Sequence, residues 1–425
     1  MKRRRFLQLG ITGTGAALLA GPRLWANSVP PDGPRVTLAQ AFDREMQEFM
    51  EPRRVPGGAL AVVKNRRIVY ARGYGWADRD KRIRVEPDSL FRIASISKPL
   101  TAVAILQQVE QKRLDLELKA FPYLEIPPAL PPGHSADVRL KEITVRQLLQ
   151  HTGGWDRERS FDPMFRPRLI AEQVGTPAPA SPEAVLRYMQ TQPLDFAPGT
   201  RYAYSNFGYC VLGRILEKAT GQSYGQYVRQ HVLAPLGVTS MRLGATLEGQ
   251  QAPGEVRYYT RDNSSGPSVF PERPGKIPWP YGGFHLEAMD AHGGWIASAL
   301  DLARFAAALD DPARCPILKP ETIATMYEPP AAPVSRKPDG SLENRYYGCG
   351  WMIRPVSGGT KANYWHTGSL PGTATLLVRR HDGLSWAVLF NQRSEDKKLP
   401  DEAIDAAMHR AANAVTDWSS PGYEH

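Results

Sequence analysis

The sequence predicts an α/β (α+β) protein: an antiparallel β-sheet flanked by helices, with an inserted, mainly helical subdomain. Three observations carry this expectation. β-prone hairpins lie near both ends of the chain, an amphipathic or Ala-rich helix sits outside each of them, and the middle is helical with Pro- and Gly-rich interruptions. Strands at both termini with helices inserted between them suggest one sheet built from the two ends. A chain of 425 residues is long enough for one large domain or two closely joined ones.

Taken in order, Leu38 to Met50 reads as an amphipathic helix, with Phe42, Met46 and Phe49 at helical spacing. Ala59 to Val63 and Ile68 to Tyr74 are β-prone runs around Lys64–Arg67, a hairpin. Leu100 to Lys112, Thr144 to Gln150, Pro182 to Gln190, Asn206 to Thr220 and Leu300 to Leu309 read as helices. The stretches 156–180 and 249–284 read as long and irregular, and loops of that length usually cover a binding site or are mobile. Tyr347 to Ile353 adds a strand. Thr373 to Val378 and Ser385 to Asn391 flank an Asp382-Gly383 turn, a second hairpin. Asp401 to Val415 is a final helix.

The composition, 42% hydrophobic and 23% charged, is ordinary for a globular protein. A net charge of +10 would suit nucleic acid, but the basic residues are scattered, and their densest cluster is Lys2 to Arg5. No nucleic-acid partner is expected. That cluster precedes a weakly apolar run, Ile11 to Ala20, and the small residue Ala26. The run falls short of the roughly 20 residues a bilayer requires, so no membrane span is expected in the mature chain. Paired arginines followed by Phe6-Leu7 look like a twin-arginine export signal, which predicts a periplasmic or secreted protein. The expected organisation is therefore a signal at 1–26, a leader at 27–37, one domain at 38–415 with its helical subdomain at roughly 116–285, and a tail at 416–425. Cys210, Cys315 and Cys349 are far apart, lack C-x-x-C spacing, and select no disulfide. The nine histidines contain no H-E-x-x-H or comparable metal spacing.

Two serines compete as nucleophile. Gly221-Gln222-Ser223-Tyr224-Gly225 fits G-x-S-x-G, but that elbow needs a strand before it, and Gly213 to Thr220 is helical. Gly221 reads instead as the residue closing that helix, and Ser223 as an N-cap for the next, Tyr224 to Val232. The better candidate is Ser95, which opens the helix Leu100 to Lys112 and is followed three residues later by Lys98. That offset puts both side chains on one helical face. Serine needs a base within hydrogen-bond reach, and a lysine sheltered from water can have its pKa lowered enough to serve. S-x-x-K alone equally describes a capping serine and a solvated lysine.

A second element comes from Tyr204-Ser205-Asn206, a loop entering a helix. The phenol can relay a proton to a leaving group, and the carboxamide can hold a substrate carbonyl. By itself this is also a capped helix with buried tyrosines. Ser95-x-x-Lys98, then Tyr204-x-Asn206, then a third triplet near a late strand, resembles the motif order of serine β-lactamases and penicillin-binding proteins. The tyrosine form resembles class C β-lactamases and their relatives, the DD-peptidases, D-aminopeptidases and β-lactamase-like esterases. Ile143 to Gly154, Gly293 to Phe305 and Tyr347 to Trp351 look like the same family, and the likeness runs over roughly residues 38 to 415. It implies a β-lactamase/transpeptidase-like fold.

The triplet His-Thr-Gly occurs twice. His151-Thr152-Gly153 follows a short helix and reads as a turn whose histidine hydrogen-bonds backbone. His366-Thr367-Gly368 precedes a β-run and stands where family members carry Lys-Thr-Gly or His-x-Gly. The resemblance implies that His366, Thr367 and Gly368 contact substrate, with Gly368 letting its backbone approach, and that the amides of Ser369 and Ser95 form an oxyanion hole. Lysine suits a substrate carboxylate, whereas histidine is mostly neutral at pH 7.

The expected function is an exported serine hydrolase acting through a Ser95 acyl-enzyme, with Lys98 and Tyr204 sharing proton transfer and Asn206 and His366 orienting substrate. Small-molecule esters, amides or short peptides are the expected substrates, with cell-wall peptides a further possibility. No metal or organic cofactor is required. The alternatives are a true β-lactamase or DD-peptidase and, from another class, a non-catalytic cell-wall-binding protein.

Overall fold

Alternation of side chains along extended strands lets one sheet feed two cores, and that is the plan of this protein. The computed structural model describes residues 36–419, apart from 131, 132, 134, 357–360 and 397. The expected export signal lies outside these residues.

Thirteen strands and twelve α-helices follow one another in the described residues. The first part holds α1 (Leu38–Arg53), β1 (Gly57–Lys64), β2 (Arg67–Asp78), β3 (Ile83–Arg84), β4 (Phe91–Arg92) and α2 (Ser97–Glu110). The middle holds α3 (Ala120–Leu124), α4 (Val145–Leu149), α5 (Pro167–Val174), α6 (Pro182–Met189), α7 (Asn206–Thr220) and α8 (Tyr224–Tyr227), then β5 (Arg242–Leu243), β6 (Ser265–Pro267) and β7 (Lys276–Pro278). The last part holds α9 (Asp290–Gly293), β8 (Trp295–Ala297), α10 (Ala299–Ala308), α11 (Pro320–Met326), β9 (Tyr346–Tyr347), β10 (Met352–Val356), β11 (Lys361–Leu370), β12 (Thr373–Arg379), β13 (Leu384–Phe390) and α12 (Ala403–Ala414).

Eight strands form one antiparallel sheet in the order β3-β2-β1-β13-β12-β11-β10-β9. The two expected hairpins, β1–β2 and β12–β13, meet at its centre, where Leu60 faces Val388 and Ala61 faces Ala387. Leu60, Val62, Leu376, Val378, Trp386 and Val388 point into a core with α1 and α12. Ala59, Ala61, Val63, Leu377, Ala387 and Leu389 point the other way, into the larger core that includes α2 and α7. Because helices cover both faces, β1, β12 and β13 read as continuous apolar runs rather than alternating ones.

The ends of the domain are tied together. Thr37 caps α1 in a capping box with Gln40 and bridges to Asp417, while the Thr416 amide donates to the Val36 carbonyl at 3.2 Å. So the first residues of the expected tail pair with the last of the expected leader. The chain from 347 to 353 is not one strand: Gly348 to Trp351 turn between β9 and β10, with Gly350 at φ +82°. The stretches expected to be irregular carry structure, α5 in the first and the β6–β7 hairpin in the second. Residues 242–243, within the expected helical subdomain, add a strand to a small sheet ordered β4-β8-β5. That sheet carries the chain into the turn that holds Ser95.

Gly221 closes α7 at φ +68°, as expected, but Ser223 makes no side-chain cap bond. Glu217 supplies it instead, its Oε1 accepting from the Tyr224 amide at 2.9 Å, and the helix after Tyr227 widens into a π-turn over Val228–Leu233. All three cysteines are free.

Candidate active site

Ser95 stands at the start of a helix that the core holds on every side. Residues Ser97 to Gln108 of α2 are all buried, and Ser95 is the one residue of 91–100 with appreciable exposure. The turn before it is fixed from three directions. Arg92, fully buried, donates to the carbonyls of Pro280 at 2.5 Å and Ala245 at 2.8 Å, with Glu255 beside it at 3.9 Å. Thr373 Oγ1 donates to the Arg92 carbonyl at 2.9 Å and Thr375 Oγ1 to that of Ile93 at 3.1 Å. Ala94 adopts φ +47°, a left-handed conformation that non-glycine residues rarely take. The short 3-10 turn Ala94–Ile96 then presents Ser95 ahead of α2.

Lys98 lies three residues on, with no solvent exposure. Its Nζ is 3.0 Å from Ser95 Oγ, 2.8 Å from Asn206 Oδ1 and 2.9 Å from the His292 carbonyl. Burial drives its pKa well below the ordinary lysine value; Asp162 opposes that fall and Arg157 adds to it. Asn206 is the first residue of α7, whose N-cap Ser205 accepts from the Gly208 amide at 3.2 Å. Its Nδ2 donates to Asp162 Oδ2 at 2.6 Å. Tyr204 closes the cluster, its ring 4.7 Å from Lys98 Nζ. Burial raises the phenol pKa above its ordinary value, with Ser95 beside it pulling the other way, so the hydroxyl keeps its proton at neutral pH. Arg157 stacks its guanidinium 5.0 Å above the same ring.

The two His-Thr-Gly copies both border this cluster. His151 sits in a left-handed turn at φ +56°, and its Nδ1 accepts from the Ser205 amide at 3.2 Å. Its carbonyl accepts from the Ala203 amide at 2.9 Å, and that of Thr152 from Gly199 at 2.8 Å. The turn therefore holds the Tyr204 loop from behind, with the His151 ring 4.4 Å from those of Tyr204 and Tyr347.

His366 comes from β11 and is 4% exposed. Its Nδ1 lies 2.6 Å from the Thr367 carbonyl and its Nε2 2.9 Å from the Tyr347 hydroxyl. Burial first, then Lys98, push its pKa down to about 3. Alternation along β11 turns Thr367 and Ser369 to the opposite face from His366 and Gly368. There they line a cavity of about 220 Å³ with Arg345, Arg354, Asp401 and Asp405. Gly368 does permit a close approach, but to the protein itself. A Cβ there would collide with the Ile93 carbonyl oxygen and Thr375 Oγ1, so the glycine lets β11 pack on the turn carrying Ser95.

Ser95, Lys98, Tyr204 and Asn206 thus converge from two separate stretches, with His366 behind them. Asp162 and Arg157 escaped the sequence reading. Asp162 accepts from the Met164 amide at 3.1 Å and so looks like an ordinary cap before Pro163, while Arg157 lies in a charged loop. Tyr347 was visible as the start of an expected strand and as part of a family-like stretch, but not as a partner of His366.

Fold and site together define a class, the β-lactamase-fold proteins. The chain belongs to the Beta-lactamase family, whose model matches residues 42–409. Penicillin-binding protein 4* of Bacillus subtilis is 26% identical over 362 residues, covering 83% of this chain and 71% of that protein. Protein flp of Staphylococcus aureus is 29% identical over 200 residues, 46% of this chain, and the match spans only 36% of that longer protein. A D-amino acid amidase from Ochrobactrum anthropi, solved with L-phenylalanine amide, shares the fold at a TM-score of 0.67 and 22% identity, covering 89% of this chain and 98% of that one.

Proposed function

We propose that this protein hydrolyses ester or amide bonds of small molecules or short peptides through an acyl-enzyme on Ser95. The observation that carries the proposal is the 3.0 Å contact between Ser95 Oγ and a fully buried Lys98. A lysine whose pKa has fallen is a free amine for part of the time near neutrality, and a free amine can take the Ser95 proton. Tyr204, held in its neutral form, suits the opposite duty. As Ser95 Oγ bonds to the substrate carbonyl carbon, the amides of Ser95 and Ser369 would stabilise the oxyanion. When the tetrahedral species collapses, the bond to the leaving group breaks and Tyr204 supplies that group's proton, regaining one from Lys98. Water then releases the acid. A positioned base contributes about 10²–10⁴-fold, and one oxyanion donor about 10²–10³-fold.

His366 narrows the substrate class. Its neutral ring offers no charge to a carboxylate, which favours neutral esters, amides and amino-acid amides over penicillins and peptides ending in a free carboxylate. The likeness to a penicillin-binding protein over 83% of the chain supports the second reading, a β-lactamase or DD-peptidase acting on cell-wall peptides. Export by the twin-arginine route remains part of the proposal, on the strength of Arg3 to Leu7. A panel of nitrophenyl butyrate, an amino-acid amide, nitrocefin and a D-Ala-D-Ala peptide separates the readings. Ester or amide turnover that exceeds the other two and vanishes in Ser95→Ala supports the proposal; turnover confined to nitrocefin or the D-Ala-D-Ala peptide selects the second.

A further inference from the structure

The three partners of Lys98 decide where its free electron pair can point. The His292 oxygen is a backbone carbonyl and can only accept, at 2.9 Å. The group on Asn206 facing Lys98 could in principle be oxygen or nitrogen, and the far end of the carboxamide resolves it. That end meets Asp162 Oδ2 at 2.6 Å, and a carboxylate only accepts, so the Nδ2 amine must face Asp162 and Oδ1 must face Lys98. A neutral amine then spends its two hydrogens on His292 and Asn206. Its electron pair has one direction left, toward the Ser95 hydroxyl at 3.0 Å.

We propose that Asp162 is a positioning residue for acylation: by holding the Asn206 carboxamide in one orientation, it turns the free pair of Lys98 onto Ser95. A flipped Asn206 would present N–H to Lys98 and occupy the pair that the reaction needs. The carboxylate is itself anchored, since its Oδ1 accepts from the Met164 amide at 3.1 Å. This inference rests on the acyl-enzyme reading of Ser95.

Charge adds a second effect with a defined sign. The groups around Lys98 are Asp162 and Arg157 from the 156–165 loop, the rings of Tyr204 and of Tyr209 on α7, His292 on α9, and His151 and His366 from the two triplets. Burial holds the three histidines neutral and the two phenols protonated. Asp162 is the carboxylate that favours protonated Lys98, against Arg157. Removing its charge makes Lys98 lose its proton at lower pH. The acid limb of the acylation rate must therefore move down the pH scale even while the plateau falls.

The test is stopped-flow acylation of the full chain by nitrophenyl butyrate and by a fluorophosphonate across pH 5 to 10, in wild type, Asp162→Asn and Asp162→Ala. Asp162→Asn keeps the volume but has a single oxygen, so accepting from the Met164 amide turns an N–H toward Asn206 and favours the flipped carboxamide. The expected result is a plateau rate at least ~10-fold lower, from the 10²–10⁴ that a positioned base supplies, with KM within twofold and the acid limb displaced to lower pH. A plateau within twofold of wild type, or an unmoved acid limb, overturns the proposal. So does a matched fall in thermal stability that accounts for the lost rate, since that marks a purely structural residue. If wild type itself is not acylated on Ser95, the reading of the site fails, and Asp162 is not what failed.

Discussion

The Tyr347 hydroxyl donates to Nε2 of His366 across 2.9 Å, and this contact fixes the state of the second His-Thr-Gly copy. The Thr367 carbonyl can only accept, so the proton of the ring sits on Nδ1, 2.6 Å away, and Nε2 must be the acceptor. His366 is thus a satisfied, neutral, buried ring.

Placing a cation at this position should shift substrate preference. His366→Lys puts a second amine beside Lys98 and Arg157, which disfavours protonation of both lysines but offers charge to a carboxylate. The kcat/KM ratio of nitrocefin to nitrophenyl butyrate is expected to rise by roughly tenfold or more, about 1.4 kcal/mol in relative barrier. An unchanged ratio would remove His366 from the account of specificity.

Acid should destabilise the fold through the same ring. The pKa of His366 drops from 6.5 to about 3 on folding, so between those values the unfolded chain binds more protons and stability rises with pH. As pH falls from about 6.5 the contribution is lost, completely so below about 3. Urea denaturation at intervals across that window should show a shallower slope in His366→Gln than in wild type.

Gly368→Ala should hurt activity more than stability. The added carbon meets the Ile93 carbonyl oxygen and the Thr375 hydroxyl, so β11 or the Ser95 turn must shift. Overpacking of this kind costs about 1–3 kcal/mol, and the displaced atoms adjoin Ser95, the proposed nucleophile. Thermal melting and the rate of fluorophosphonate labelling, measured together, should show a loss of labelling larger than the melting shift explains.

Arg92→Leu should be among the most destabilising single changes. It strips the carbonyls of Pro280, Ala245 and Thr246 of their donor and leaves Glu255 buried without its cation. Breaking a buried pair in this way costs about 3–5 kcal/mol. The urea midpoint reports it, with Arg72→Ala, whose side chain is 53% exposed, as the milder comparison.

The sequence made the frame of the protein legible because period and turn chemistry act locally. Both hairpins, α1, α7 and α12 follow from alternation, helical spacing and the Asp382-Gly383 turn. The S-x-x-K and Y-x-N spacings were equally readable, since Ser95 and Lys98 share a turn and Asn206 begins a helix. What escaped depends on distant partners. Asp162 is separated from Asn206 by 44 positions and looks locally like any cap. That Gly368 also lets β11 pack on residues 93–94 is a contact across some 275 positions, which nothing local shows. His151 was read as a turn, which it is; that its ring backs Tyr204 depends on where the chain returns fifty residues later.

The most direct test of the central claim is peptide mapping after fluorophosphonate treatment of the intact protein. The account predicts one adduct, on Ser95, slowed strongly in Lys98→Ala and absent in Ser95→Ala, while Ser223→Ala labels at the wild-type rate. An adduct on Ser223, or labelling that persists in Ser95→Ala, would contradict it.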